Sequence, residues 1–376
     1  MERRGFVRAS VALAGATLLP PGLRVPRPYR LSRLRSPAPP PPLRLNRNEN
    51  PLGLSPAARA AIAAGLDEAN RYPIELMPGL LDAIAKKHGV KPEQVLAGNG
   101  STEVLQMAVQ SLGRGASVIV ADPTFEDVTK YADAMGTAVV KVPLRSDHSH
   151  DLQRMRETAD RTDGDVLVYV CNPNNPTATL TSNDELDAWI GVASGRILFL
   201  VDEAYCDYAD DASYRSAQPW IETRDNVLVT HTFSKIHAMA GMRLGYGLAH
   251  ATLVEKLGRY RSSSNVNHLA LVAGEASLGD DAFADKSRQA NRDARAILCH
   301  CLDELGLDYI PSQANFMMHH IPGDLDTYIA HMKERGVWVG RPFPPMLGYN
   351  RISIGVPEEM QAFTEVLRSF RQQGWV

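Results

Sequence analysis

Long apolar runs, cysteine and net charge are all scarce in this sequence, and each scarcity removes a class of protein. No apolar stretch approaches the ~18–20 residues that a membrane-crossing helix needs. The four cysteines among 376 residues (Cys171, Cys206, Cys299 and Cys301) are too few and too scattered for a disulfide framework. Cys299 and Cys301 stand too close together for a usual metal site or redox pair, so all four read as reduced structural thiols and no metal is expected. A net charge of −3 gives no reason to expect a nucleic-acid partner.

That near-neutral total conceals an asymmetry. Nine arginines against one glutamate give residues 1–44 a charge of +8, so with −3 overall the remainder carries −11. The chain begins with charged Glu2, Arg3, Arg4 and Arg8 and continues into an apolar stretch over 9–19, the order of an export signal. Paired Arg3 and Arg4 with Phe6 just beyond resemble a twin-arginine signal, which implies a periplasmic or secreted protein. The alternative is an adventitious basic N-terminus, or a start codon placed too early, on a cytoplasmic protein. Nine prolines in 20–42 make an extended linker, so residues 1–42 are expected to stand apart from the fold.

The remainder, 44% hydrophobic and 22% charged over the whole chain, suits a soluble protein of one large and one smaller domain. Apolar runs predict strands over 117–121, 138–142, 166–171, 198–201, 226–230 and 244–249, with another ending at Ala97. Helical patterns lie over 56–69, 77–88, 125–135, 152–159, 183–193 and 251–261. Strands alternating with helices imply an α/β fold, a mainly parallel sheet sandwiched by helices. From about 282 the pattern changes to a long helix followed by short strands and two further helices, a compact α+β unit. The expected division is a large domain over 70–285 and a small domain made of 43–69 and 286–376.

Polar motifs fall at the carboxyl ends of the predicted strands, where open α/β sheets bind ligands. Lys235 follows the run ending at Val229 and is flanked by Ser234. A lysine leaving a buried strand into a cleft can lose its proton and attack a carbonyl. Asp202 emerges after Val201, with Tyr205 close behind. Ser101 and Thr102 open a helix after Gly98 and Gly100, an anion site in the making. Ser234 and Arg243 add a hydroxyl and a guanidinium fork, and Asn175 lies in a proline-bounded turn. This set meets the needs of pyridoxal phosphate: a lysine for its aldehyde, an acid for its ring nitrogen, and a phosphate anchor. Tyr205 and Asn175 would reach the ring's phenolic oxygen. Arg351, inside an apolar strand pattern, needs an anionic partner. That partner is either an internal carboxylate or a substrate anion.

In order and spacing, residues 45–53, Tyr72-Pro73, 98–103, 172–177, 202–205, Ser234-Lys235, Arg243 and Arg351 resemble a fold-type I pyridoxal-phosphate aminotransferase of classes I and II. The histidinol-phosphate aminotransferase-like subgroup is the most similar, and the likeness runs from about residue 43 to the end. It implies transfer of an amino group between an amino acid, or a histidinol-phosphate-like amine, and a keto acid. It also implies a homodimer with shared sites, in which Tyr72 reaches the partner's cofactor phosphate. Phe125 would stack on the cofactor ring where the family usually has tyrosine. Arg351 would bind the substrate's carboxylate or phosphate, with Asn315 and Arg341 near the substrate. Thr102 stands where aspartate is usual, and Ala178 where glycine is usual. A pyridoxal-dependent decarboxylase, lyase, cyclase or oxidase remains the alternative reaction, and a catalytically silent sensor the alternative class. His237, in the lysine's own loop, has no assigned role.

Overall fold

The computed structural model describes residues 41–376. The export-type segment and nearly all of the linker therefore lie outside the described residues. Among the described residues no helix is long and apolar enough to cross a membrane.

The chain begins with strand β1 (Leu43–Arg44), helices α1 (Pro56–Gly65) and α2 (Met77–His88), strand β2 (Val95–Gly98) and helix α3 (Ser101–Gln110). Strands β3 (Ser117–Asp122), β4 (Ala138–Pro143), β5 (Val166–Cys171), β6 (Ile197–Asp202), β7 (Val227–Thr232) and β8 (Gly245–Ala249) follow. Between them run helices α4 (Asp127–Met135), α5 (Leu152–Arg161) and α6 (Asn183–Val192). The second half contains α7 (Ala251–Gly258), α8 (His268–Leu278), α9 (Asp281–Leu305), β9 (Tyr309–Ile310) and β10 (Phe316–His320). The chain closes with α10 (Leu325–Glu334), β11 (Val337–Trp338), β12 (Tyr349–Ser353) and α11 (Pro357–Gln372).

Seven strands form one sheet in the order β2-β8-β7-β6-β5-β3-β4. Only β8 runs against its neighbours, so the carboxyl ends of the other six share one edge. Each strand alternates its apolar side chains between two cores. In β5, Val166, Val168 and Val170 face one layer, while Leu167, Tyr169 and Cys171 face the other. Burial on both faces makes these strands near-continuous apolar runs, which is why they are readable in the sequence. The chain passes outward from β3 to β4 and then returns inward to β5. This reversal opens a crevice between β3 and β5, the place where such sheets bind ligands.

Helix α8 is the element that periodicity misses. It is apolar nearly all round, with no polar stripe to set a phase. Ala270, Leu271 and Ala273 belong to the same core as Ala58 of α1 and Leu80 and Ile84 of α2. The segment 43–69 is thus divided: α1 packs with the sheet's core, whereas Leu45 joins the smaller one. That second core is built by the carboxyl-terminal half of α9 (Ala294, Leu298, Leu302) with α10 and α11. Strands β9, β10 and β12 form an antiparallel sheet of their own, and β1 pairs in parallel with β11.

Candidate active site

The strand-end motifs surround a single cleft of about 990 Å³, which adjoins an inner recess of about 160 Å³. Lys235, Tyr205, Phe125 and Arg243 line both spaces. Ser101, Thr102, Asp202 and Ser234 line the recess, and Asn175, Arg341 and Arg351 line the outer cleft. Eleven of the thirteen residues singled out from the sequence therefore meet in one place.

Lys235 lies just past β7, where the ladder stops and the chain turns back toward Leu244. It is half-buried, and its Nζ donates to the Asn48 carbonyl at 3.1 Å. The surrounding protein strips it of water and Arg351 repels its charge, which together lower its pKa to about 8. A substantial share of neutral amine at mild pH follows, and this is the nucleophilic form.

Asp202 closes β6. Tyr169 Oη donates to its Oδ2 at 2.9 Å, and Thr230 Oγ1 donates to its Oδ1 at 3.1 Å, joined by the Ala204 amide at 3.2 Å. Burial still pushes its pKa up, against those hydrogen bonds. The carboxylate is held by three hydrogen bonds and, among the described residues, has no cation in direct contact, so a protonated ring nitrogen would complement it.

Gly100 precedes α3 with φ +79, a conformation glycine adopts without strain. A Cβ on Gly100 would collide with the Arg243 guanidinium, and one on Gly245 with the Ser101 amide. Backbone and guanidinium thus crowd together at the amino end of a ten-residue helix, the arrangement that binds phosphate. Arg243 also donates to the Ala240 carbonyl at 3.0 Å and reaches Ser234 Oγ at 3.5 Å.

Tyr205 Oη accepts from Asn48 Nδ2 at 3.2 Å and from Asn175 Nδ2 at 3.3 Å. Asn175 Oδ1 in turn accepts from Arg351 Nη1 at 2.6 Å, and Arg351 Nη2 donates to the Asn46 carbonyl at 3.1 Å. Arg351 is buried without any carboxylate partner among the described residues, and its Nε has no partner at all. Of the two readings of this residue, the internal salt bridge finds no partner among the described residues. Burial lowers its pKa to about 10, which leaves it cationic at neutral pH.

Over residues 40–367 the sequence matches the family aminotransferase class I and II. The chain belongs to the class I and II aminotransferases. It is 38% identical over 331 residues to the histidinol-phosphate aminotransferase of Moorella thermoacetica, covering 87% of this chain and 84% of that one. The enzyme of the same name from Brevibacillus brevis is 35% identical over 331 residues, covering 87% and 89%. A crystal structure from Erwinia carotovora atroseptica, provisionally assigned to the same activity, superposes with a TM-score of 0.88 at 37% identity, covering 89% of this chain and 97% of that one. The enzyme is a pyridoxal-phosphate-dependent aminotransferase with the α/β fold expected from its sequence. Its residues fit the cofactor: an amine of lowered pKa, a buried carboxylate lacking a cation, and a glycine-lined cradle beside a helix terminus.

Two expected site residues lie elsewhere. Asn315 is buried behind the cleft, where its Nδ2 donates to the Asn48 carbonyl at 3.0 Å. It braces the loop that receives Lys235 and has no face on the cleft. Tyr72 is 79% exposed and outside the cleft of its own chain. His237 now has a place: its Nδ1 meets Ser277 Oγ of α8 at 2.8 Å, and burial lowers its pKa to about 4. It is a packing residue.

Sequence reasoning missed Asn48, Tyr169 and Thr230, which touch Tyr205 and Asp202. Tyr169 and Thr230 sit inside strand patterns, and only the pairing of β5, β6 and β7 brings their hydroxyls to Asp202. The four cysteines are free. Glu203, Cys206 and His231 cluster beneath the site, where Cys206 approaches His231 Nδ1 and Glu203 approaches Nε2. One ligand atom from each of the three lies within 4.8 Å of the others.

Proposed function

We propose that this aminotransferase takes its amino group from a phosphorylated amine of the histidinol phosphate type and passes it to a keto acid. The observation that carries this reading is Arg351, a buried guanidinium that opens on the lysine's cleft and lacks an acidic partner. A buried cation of this kind awaits an anion, and a phosphate matches its fork. The names of the relatives from Moorella and Brevibacillus point to the same donor.

Pyridoxal phosphate, when bound, supplies an aldehyde that captures amines and a ring that withdraws electrons from the carbon bearing the nitrogen. Lys235 would hold it through Nζ, while the amino end of α3, Ser234 and Arg243 would hold its phosphate. Asp202, oriented by Tyr169 and Thr230, would keep a proton on the ring nitrogen. Tyr205 and Asn175 would donate to the ring oxygen, and Phe125 would cover the ring's face. Lys235 Nζ, once displaced by the substrate amine, would take the proton from the substrate α-carbon and deliver it to the cofactor's aldehyde carbon, and would run the same transfer in reverse with the keto acid.

The donor is tested by comparing histidinol phosphate with histidinol, each with 2-oxoglutarate as acceptor. Removing the phosphate should lower kcat/KM by about 100-fold or more, because a buried Arg351 is left without its anion. Equal values for the two donors would sink the reading.

The lowered Lys235 pKa sets a pH dependence for cofactor uptake. Below about 8 the ammonium form, which cannot attack, predominates, so capture by cofactor-free protein should rise about tenfold per pH unit and level off above that value. Stopped-flow absorbance measures this directly. A rate that is flat between about pH 6 and 9 would contradict the assignment.

The functional unit in this reading is a homodimer. Exposed Tyr72 and Ile74 lie together on one segment, and Tyr72 would reach the partner's cofactor phosphate. Light scattering that finds a fully active monomer would rule this out. The export reading rests on Arg3 and Arg4. Replacing both with lysine should abolish export of a fused reporter, and an unchanged reporter would count against a twin-arginine signal.

A further inference from the structure

The mouth of the cleft holds an ion pair whose partners come from opposite cores of the fold. Glu126, directly ahead of α4, accepts from Arg341 Nη2 at 2.7 Å through one oxygen, and Lys130 Nζ lies 3.2 Å from the other. Arg341 follows β11, and its guanidinium stands 4.2 Å from the centre of the Phe343 ring. The guanidinium of buried Arg351 stands 4.6 Å from the centre of the same ring. One aromatic side chain thus links an inner arginine, free of acids, to an outer arginine already neutralised by Glu126.

The outer pair differs from the inner one in what it costs to open. Side-chain exposures of 52% for Arg341, 39% for Glu126 and 63% for Lys130 describe a solvated ion pair, which contributes little to stability. Burial alone would raise the Glu126 carboxyl, but hydrogen bonds from Arg341 and Lys130 bring it below its usual value, so it is ionised at neutral pH. When Arg341 leaves, Glu126 keeps Lys130 one helical turn away. A carboxylate entering the cleft, in contrast, gains a guanidinium fork that its charge and shape match.

We propose that Glu126 is an exchangeable counter-ion that sets specificity at the outer end of the cleft. It neutralises Arg341 when the far end of the substrate is uncharged, and yields Arg341 while retaining Lys130 when that end carries a carboxylate. An aminotransferase passes two different substrates through one cleft, and this device serves both without moving the inner anchor. The inference rests on the reading that Arg351 takes the substrate's anchoring anion, with Arg341 beyond it.

Calorimetric titration of the holoenzyme tests this without any turnover, using succinate as the dicarboxylate probe and butyrate as the monocarboxylate. Glu126→Gln should improve the succinate Kd relative to the butyrate Kd by about fivefold or more, since a negative charge facing the second carboxylate is removed. Arg341→Gln should erase the preference for succinate. An unchanged ratio in Glu126→Gln, or succinate bound more weakly, would overturn the proposal; the latter would mean that Glu126 merely steadies Arg341. Arg351→Gln separates the inner anchor from the outer pair, because it should weaken both ligands together. If it leaves both unchanged, the anchoring role of Arg351 fails, while the response to Glu126→Gln still judges the outer site.

Discussion

Lys235→Ala is expected to lower kcat/KM for transamination by about four orders of magnitude or more, because it removes the covalent attachment point and the proton carrier together. Among the described residues no other lysine is placed to substitute. Lys130 also lines the cleft, but it is 63% exposed and held by Glu126 and Asp127. The variant should still bind pyridoxal phosphate, because the cradle of Ser101, Thr102 and Arg243 is untouched. Its visible spectrum should be that of the free aldehyde. Lys235→Arg should be just as inactive, since a guanidinium keeps its charge at any working pH and cannot act as the nucleophile. A Lys235→Ala enzyme retaining more than about 1% of wild-type turnover would mean that another group moves the α-proton.

Asp202→Asn should lower kcat by about two to three orders of magnitude while leaving the cofactor-free fold at least as stable. The two effects have one cause. Asp202 is 3% exposed and lacks a contacting cation in the cofactor-free protein, so its ionised form is costly there, as its raised pKa records. An amide of the same shape removes that cost, and Tyr169 and Thr230 can reorient their hydroxyls toward it. With the cofactor present, the same amide cannot hold a positive ring nitrogen. Thermal melts of the cofactor-free variant and steady-state kinetics of the loaded one give the two readouts. A melting temperature that falls together with the rate would show that Asp202 serves the fold more than the chemistry. Such opposition between stability and activity is common where a site keeps an unpaired charge for its ligand.

The large α/β layer was legible because its strands are buried on both faces and its helices on one. The β5 run Val166 to Cys171 and the helix Met77 to His88 match their expected limits residue for residue. The site was legible for a related reason. Strand ends converge on one edge, so Gly98, Asn175, Asp202 and Lys235 could be gathered from topology before any distance was known. Tertiary packing alone decided the rest. Helix α8 has no polar face, so its sequence carries no helical phase, and its place between α1, α2 and the sheet depends on partners distant in sequence.

Contacts supplied by other segments were equally invisible. Asn48 adopts φ +54 in the loop ahead of α1, and its side chain and carbonyl reach Tyr205 and Lys235 across more than 150 positions. Asn315, expected at the substrate, supports that same loop from behind. Glu126 reads in sequence as an ordinary charge at a helix start. Its partner Arg341 comes from a segment that pairs with the smaller core, so the ion pair across the cleft mouth exists only in the fold.

The most direct experiment is borohydride reduction of the holoenzyme followed by peptide mapping. A phosphopyridoxyl group found on Nζ of Lys235, and absent when the donor amine is added before the reductant, is the expected result. A label on another lysine, or a Lys235 peptide that stays unlabelled in fully coloured enzyme, would contradict the assignment on which the whole site is built.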